Sequence, residues 1–192
     1  HPTLAAQRGV DGEAQAVAIT GNTAYVAVGV GGLAIFDITR PEETVLRGQY
    51  VTADEARDIA VVGSLAYVAS MGAGLTIIDV SDPHAPTLVA QVATYDRALG
   101  VVVSGDHAFV ADYRAGVAVV DVNDPAHPPL LSHATTPAPT TALAISGDLL
   151  AAATGTGGVR LYDITNAASP APAGSIATDG SATDVTFRNN EI

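Results

Sequence analysis

The chain has 192 residues, long enough for one domain with a substantial buried core. Hydrophobic residues at 48% and charged residues at only 15% exclude a disordered chain. A net charge of −12, with arginine as the only strong base, repels phosphate backbones and anionic lipid and excludes nucleic acid as an expected partner.

A 42-residue step organises the chain. Asp37, Asp79, Asp121 and Asp163 keep it, as do Gly21, Gly63, Gly105 and Gly147, and again Gly32, Gly74, Gly116 and Gly158. Taken in order, 1–14 reads as the outer strand of a cut unit and the loop leading on from it, because His1-Pro2-Thr3-Leu4 aligns with Ala85-Pro86-Thr87-Leu88. Four whole units follow at 15–52, 57–94, 99–136 and 141–178. The segment 182–192 then opens another unit with a first strand over Ala182–Phe187. The chain starts at His1 with no signal peptide, and it is expected to be a fragment of a longer protein.

Within each unit the pattern predicts four strands. The first is Ala16–Ile19 and its repeats Asp58–Val61, Gly100–Val103 and Ala142–Ile145. Gly21-Asn22, Gly63-Ser64, Gly105-Asp106 and Gly147-Asp148 follow, and glycine ahead of Asn, Ser or Asp suits a two-residue II′ hairpin. The second strand is Ala24–Ala27, then Ala66–Ala69, Ala108–Ala111 and Leu150–Ala153. The third is Leu33–Phe36, Leu75–Ile78, Val117–Val120 and Val159–Tyr162. The fourth, more polar, is Val45–Gln49, Leu88–Val92, Leu130–His133 and Ala171–Ser175. The strands are apolar on both faces, so both faces should be covered. Glycine and proline punctuation leaves no window of helical length. A strand-rich unit repeating every 40 to 45 residues is the mark of propeller blades. The expected fold is therefore all-β: a partial β-propeller of four whole four-stranded antiparallel blades, flanked by single strands of cut ones.

The third strand and its aspartate read Leu33-Ala34-Ile35-Phe36-Asp37, Leu75-Thr76-Ile77-Ile78-Asp79, Val117-Ala118-Val119-Val120-Asp121 and Val159-Arg160-Leu161-Tyr162-Asp163. With Ser81-Asp82-Pro83 and Ala66-Tyr67-Val68-Ala69, this resembles the LVIVD-repeat family of β-propellers over essentially the whole chain. The resemblance implies an exported or cell-surface prokaryotic protein with no shared catalytic motif. The fourth unit departs from the pattern, with Ala151 in place of the aromatic residue and Ala167 in place of the proline.

Residues common to all units should serve cohesion, and residues that differ should serve recognition. Asp37, Asp79, Asp121 and Asp163, at strand ends before turns, are expected to accept backbone amides. With Gly21, Gly63, Gly105 and Gly147 they form the structural set. The loop leading into the first strand and the loop between the second and third strands should open on one face. There the exceptions are Arg57, Asp58, Tyr95, Asp96, Arg97, Tyr113 and Arg114, expected to contact a protein or carbohydrate ligand. Asp58 and Asp184 share a register on first strands lining the channel, and a calcium ion between them is chemically reasonable. No other cofactor is expected. The histidines show no metal-ligand spacing, and the absence of cysteine removes disulfides and thiol chemistry. No run approaches the ~20 apolar residues of a membrane span, so no membrane insertion is expected in this segment. Open blade faces are expected to favour association. The leading expectation is a non-enzymatic binding or scaffold module at the cell surface. Its rivals are a channel-based, metal-assisted hydrolase or lyase and a structural spacer.

Overall fold

A computed structural model describes residues 9–188. The expected outer strand at 1–4 lies outside them. The described residues form sixteen strands in four separate antiparallel sheets, each a simple meander of four. Blade 1 comprises β1 (Ala16–Thr20), β2 (Thr23–Ala27), β3 (Leu33–Asp37) and β4 (Val45–Tyr50). Blade 2 comprises β5 (Asp58–Val62), β6 (Leu65–Ala69), β7 (Leu75–Asp79) and β8 (Thr87–Val92). Blade 3 comprises β9 (Gly100–Ser104), β10 (His107–Ala111), β11 (Val117–Asp121) and β12 (Leu130–Ala134). Blade 4 comprises β13 (Ala142–Ser146), β14 (Leu149–Ala153), β15 (Val159–Asp163) and β16 (Ala171–Ile176). The alanine-rich second strand of blade 4 pairs along its whole length despite Ala151.

Blades 2 and 3 bury both faces against their neighbours, and blades 1 and 4 bury one each. Tyr25, Ala27, Leu33 and Ile35 of blade 1 pack on Ile59, Ala66, Val68 and Ile78 of blade 2. Tyr67, Leu75 and Ile77 of blade 2 meet Val101, Val110, Ala118 and Val120 of blade 3. Phe109, Val117 and Val119 of blade 3 meet Leu143, Leu150, Ala152 and Tyr162 of blade 4. Alternate residues of one strand thus serve two different interfaces, which is why the strands read as apolar without alternation. The first strands β1, β5, β9 and β13 touch in succession along the inner side. Among the described residues the row does not close. Blade 1 leaves Ala24, Val26, Phe36 and Ile38 lining an open apolar hollow, and β16 is exposed throughout.

Backbone geometry explains the repeated glycines. The third-strand glycines Gly32, Gly74, Gly116 and Gly158 have φ between 71° and 95°. A Cβ on Gly74 would stand 2.2 Å from the Val92 carbonyl oxygen, an overlap no side chain tolerates. The hairpin glycines Gly21, Gly63, Gly105 and Gly147 have φ between 54° and 59° with open space around them, as the first central position of a II′ turn requires.

Ala182 makes the same isolated bridge to Gly155 that Ala56 makes to Gly29 and Ala98 to Met71. Residues 183–187, expected to form a first strand, nevertheless carry no ladder. In blades 1 to 4 the ladder comes from the second strand of the same hairpin, and the described residues supply none here.

Candidate ligand-binding face

The turn aspartates have local partners. The Oδ1 of Asp37, Asp79, Asp121 and Asp163 accepts the amide of Thr39, Ser81, Asn123 and Thr165, two residues on, at 2.8–2.9 Å. The Ser81 amide and hydroxyl hold Asp79 below the usual carboxylate range, and the Thr165 amide and hydroxyl do the same for Asp163. Asp37 is lowered further, by the Thr39 hydroxyl and then by the Arg47 guanidinium bonded to its Oδ2.

At the opposite ends of the strands, four isolated bridges join each loop between second and third strands to the loop leading into the next blade: Gly29–Ala56, Met71–Ala98, Tyr113–Thr140 and Gly155–Ala182. The two loop sets therefore share one face. The backbone at the first residue of each bridge is left-handed. Blades 1 and 4 place glycine there (Gly29 φ 57°, Gly155 φ 54°), whereas blades 2 and 3 place Met71 (φ 41°) and Tyr113 (φ 39°). Non-glycine residues in this region carry strain, and such strain clusters at functional sites.

Four of the seven expected contact residues, Asp96, Arg97, Tyr113 and Arg114, form one linked cluster. The Arg97 guanidinium lies 4.1 Å from the centre of the Tyr113 ring and that of Arg114 5.4 Å, a geometry in which the ring face attracts both cations. Asp96 Oδ2 accepts the Arg114 amide at 3.3 Å, and its Oδ1 lies 4.0 Å from Arg97 Nε. The same tie recurs one unit earlier, where Asp54 Oδ2 accepts the Gly72 amide at 2.9 Å, so Asp96 braces the loop. Tyr95 is 76% exposed.

Arg57 and Asp58 sit elsewhere, on the inner edge of blade 2. They line an open cavity of about 490 Å³ with Gln15, Leu99, Thr141 and Asp184. Asp58 Oδ1 accepts the Ile59 amide at 2.8 Å and its Oδ2 the Val101 amide of blade 3 at 2.9 Å, so this carboxylate staples two blades. Burial raises its pKa, against the pull of the Val101 and Ile59 amides, and the charge of Asp184 adds to the rise. Asp184 Oδ1 accepts the Val185 amide at 2.8 Å. Calcium takes six to eight oxygens, and among the described residues no group of three or more acidic or histidine side chains surrounds a common point.

Sequence reading set Asp112 among the loop exceptions and His133 among the histidines without metal-ligand spacing, but did not pair them. Asp112 is fully buried and its carboxylate accepts the Thr94 hydroxyl and the Tyr95 and Asp96 amides at 2.8–3.0 Å. His133 Nε2 lies 3.3 Å from Asp112 Oδ2, within ion-pair distance but outside hydrogen-bond geometry, with the Tyr95 ring edge-on at 4.3 Å. The signal was present in the register. Asp112 stands where the other units have Val28, Ser70 and Thr154, and His133 where they have Gln49, Gln91 and Ser175. Both members are walled in, so the pair orders the loop that presents Tyr95 rather than facing a substrate.

The sequence model of the LVIVD repeat matches residues 11–52, 53–94 and 97–136, the span of the first three blades. No curated protein sequence matches the chain. Among solved structures, the computationally designed Ika4 protein is 12% identical with a TM-score of 0.70, over 85% of this chain and 98% of its own. The computationally designed Ika8 protein is 12% identical with a TM-score of 0.68, over 91% of this chain and 51% of its own. U3-55K is 14% identical with a TM-score of 0.69, over 88% of this chain and 55% of its own. The chain thus spans about half the length of the latter two. At these identities the likeness is one of fold.

Proposed function

Because the chain belongs to the LVIVD-repeat family, we propose that this repeat scaffold is a non-catalytic binding module that recognises a protein or carbohydrate at the cell surface. The loop face of blade 3 makes the contact. Tyr95, Arg97, Tyr113 and Arg114 touch the ligand, Asp96 holds their loop, and Arg57 borders the site from the inner cavity. The observation that carries this reading is the strained Tyr113 between two arginines, at a position where blades 1 and 4 place the unstrained glycine. A strained aromatic is retained against a cost of ~1–2 kcal/mol only if the exposed ring serves something other than folding. The surface location rests on the family resemblance. Among the described residues no helix is long and apolar enough to cross a membrane. The open face of blade 1 offers a second contact, through which blades of another chain or segment would continue the row.

Tyr113→Gly tests the recognition site, since it installs the residue of blades 1 and 4. The melting temperature should hold or rise, while capture on an oligosaccharide and acidic-peptide array should fall at least tenfold. Arg97→Ala should lose capture likewise. Unchanged capture in both variants would overturn the site, and no capture by the parent chain would favour the structural spacer.

A further inference from the structure

In every blade, one cross-strand pair on the same face (toward the preceding blade in blades 2 to 4, open in blade 1) joins a long polar residue to a small one. The pairs are Ala34–Gln49, Thr76–Gln91, Ala118–His133 and Arg160–Ser175. In blades 1 to 3 the long residue is on the fourth strand, bonded to a carbonyl in two of them and beside a carboxylate in the third. Gln49 Nε2 donates to the Gly31 carbonyl at 2.9 Å, Gln91 Nε2 donates to the Ala73 carbonyl at 3.1 Å, and His133 faces Asp112. Blade 4 inverts the pair, placing the long residue, Arg160, on the third strand opposite a serine. Its Nε is buried and has no hydrogen-bond partner among the described residues. No carboxylate of those residues reaches ion-pair distance of it. That nitrogen has no accessible surface, so an acceptor from outside would meet the terminal nitrogens of this charged guanidinium, for which the described residues supply no acceptor either and which border a cleft.

The space for one is present. A cleft of about 240 Å³ opens beside Arg160, walled by Thr135, Pro137, Tyr162, Pro172 and Gly174. Tyr162 is 4% exposed, and its hydroxyl donates to the Thr135 carbonyl at 3.2 Å, which fixes the wall. Pro137 occupies the register of Tyr95. In blade 3 that ring closes over His133, whereas in blade 4 the shorter pyrrolidine leaves the mouth open.

We propose that this cleft binds a small organic monocarboxylate, with its carboxylate on Arg160 and its hydrocarbon against Pro137, Pro172 and Tyr162. One guanidinium matches one negative charge. A chain carrying −12 disfavours a phosphate dianion, which would need further cations. The volume falls below the ~300–1,000 Å³ of drug-sized pockets, so the ligand has few carbons. The site is separate from the loop face of blade 3 and stands or falls without it.

The test follows the Arg160 Nε–H resonance of the whole chain by NMR while propionate, benzoate, their neutral amides or inorganic phosphate is titrated in. Both carboxylates should shift it saturably, and the amides and phosphate should bind at least ~tenfold more weakly, the loss expected when a charged hydrogen bond is removed. Arg160→Gln should weaken benzoate binding by at least the same factor, read from the Thr135 amide. The double variant Arg160→Ala with Ser175→Gln restores the blade 1 pair, so it should stay folded and bind nothing. Absence of saturation by either carboxylate, phosphate binding as tightly as benzoate, or undiminished binding in the double variant would each overturn the proposal.

Discussion

His133 illustrates how much a single residue draws from its surroundings. Burial pushes its imidazole below the ordinary value of 6.5, and the Asp112 carboxylate offsets only part of the drop. As pH falls below about 6.5 the unfolded chain takes up this proton before the folded one does, so stability declines from there down to the lower folded-state value. His133→Gln, the residue of blades 1 and 2, should flatten part of that decline while changing stability little at pH 8. Thermal melts across pH 5 to 8 decide the matter, and an identical slope in both proteins would remove His133 from the account. This pair was readable only in part. The register break at Asp112 and His133 is visible in the chain, but 21 residues separate them, and their approach depends on where the β11–β12 pairing places the imidazole.

At the scale of the element, glycines at two registers with similar φ separate conformational from steric demand. Gly63 (φ 59°) has open space where a methyl would go, with nothing within 4 Å, so Gly63→Ala should cost ~1–2 kcal/mol, the left-handed penalty alone. At Gly74 (φ 77°) the added methyl would stand 2.2 Å from the Val92 oxygen and 2.8 Å from the Thr94 amide nitrogen. Gly74→Ala should therefore cost clearly more, because a backbone carbonyl must move and the β7–β8 ladder with it. Urea titration of the two variants measures the difference, and equal losses would contradict the steric argument. Both glycine series were legible as turn residues from their spacing. Which series also lies against a neighbouring backbone was not, since that contact is made by the following strand.

For the whole molecule, each blade leans only on its neighbours, so cohesion is a sum of interfaces. Ile77, fully buried between blades 2 and 3, should lose ~2–5 kcal/mol on change to alanine. Val17, 59% exposed at the open end of the row, should lose no more than ~0.5 kcal/mol on the same change. Comparable losses at both sites would mean that the open end is covered in solution, by another copy or by further chain.

Periodicity alone determined the class of fold, the number of strands in each blade and every strand boundary to within one residue, because each unit must bury two faces with the same short segments and turn at the same glycines. It also separated shared residues from exceptions. What the exceptions meet was decided by tertiary structure. Asp58 bonds an amide 43 residues away on another blade, Tyr113 draws Arg97 over its ring from a different loop, and Arg160 is left with a buried donor because its pair is inverted across two strands. A repeat specifies the average surroundings of a position, whereas each of these contacts depends on which particular side chains the stacked blades bring face to face.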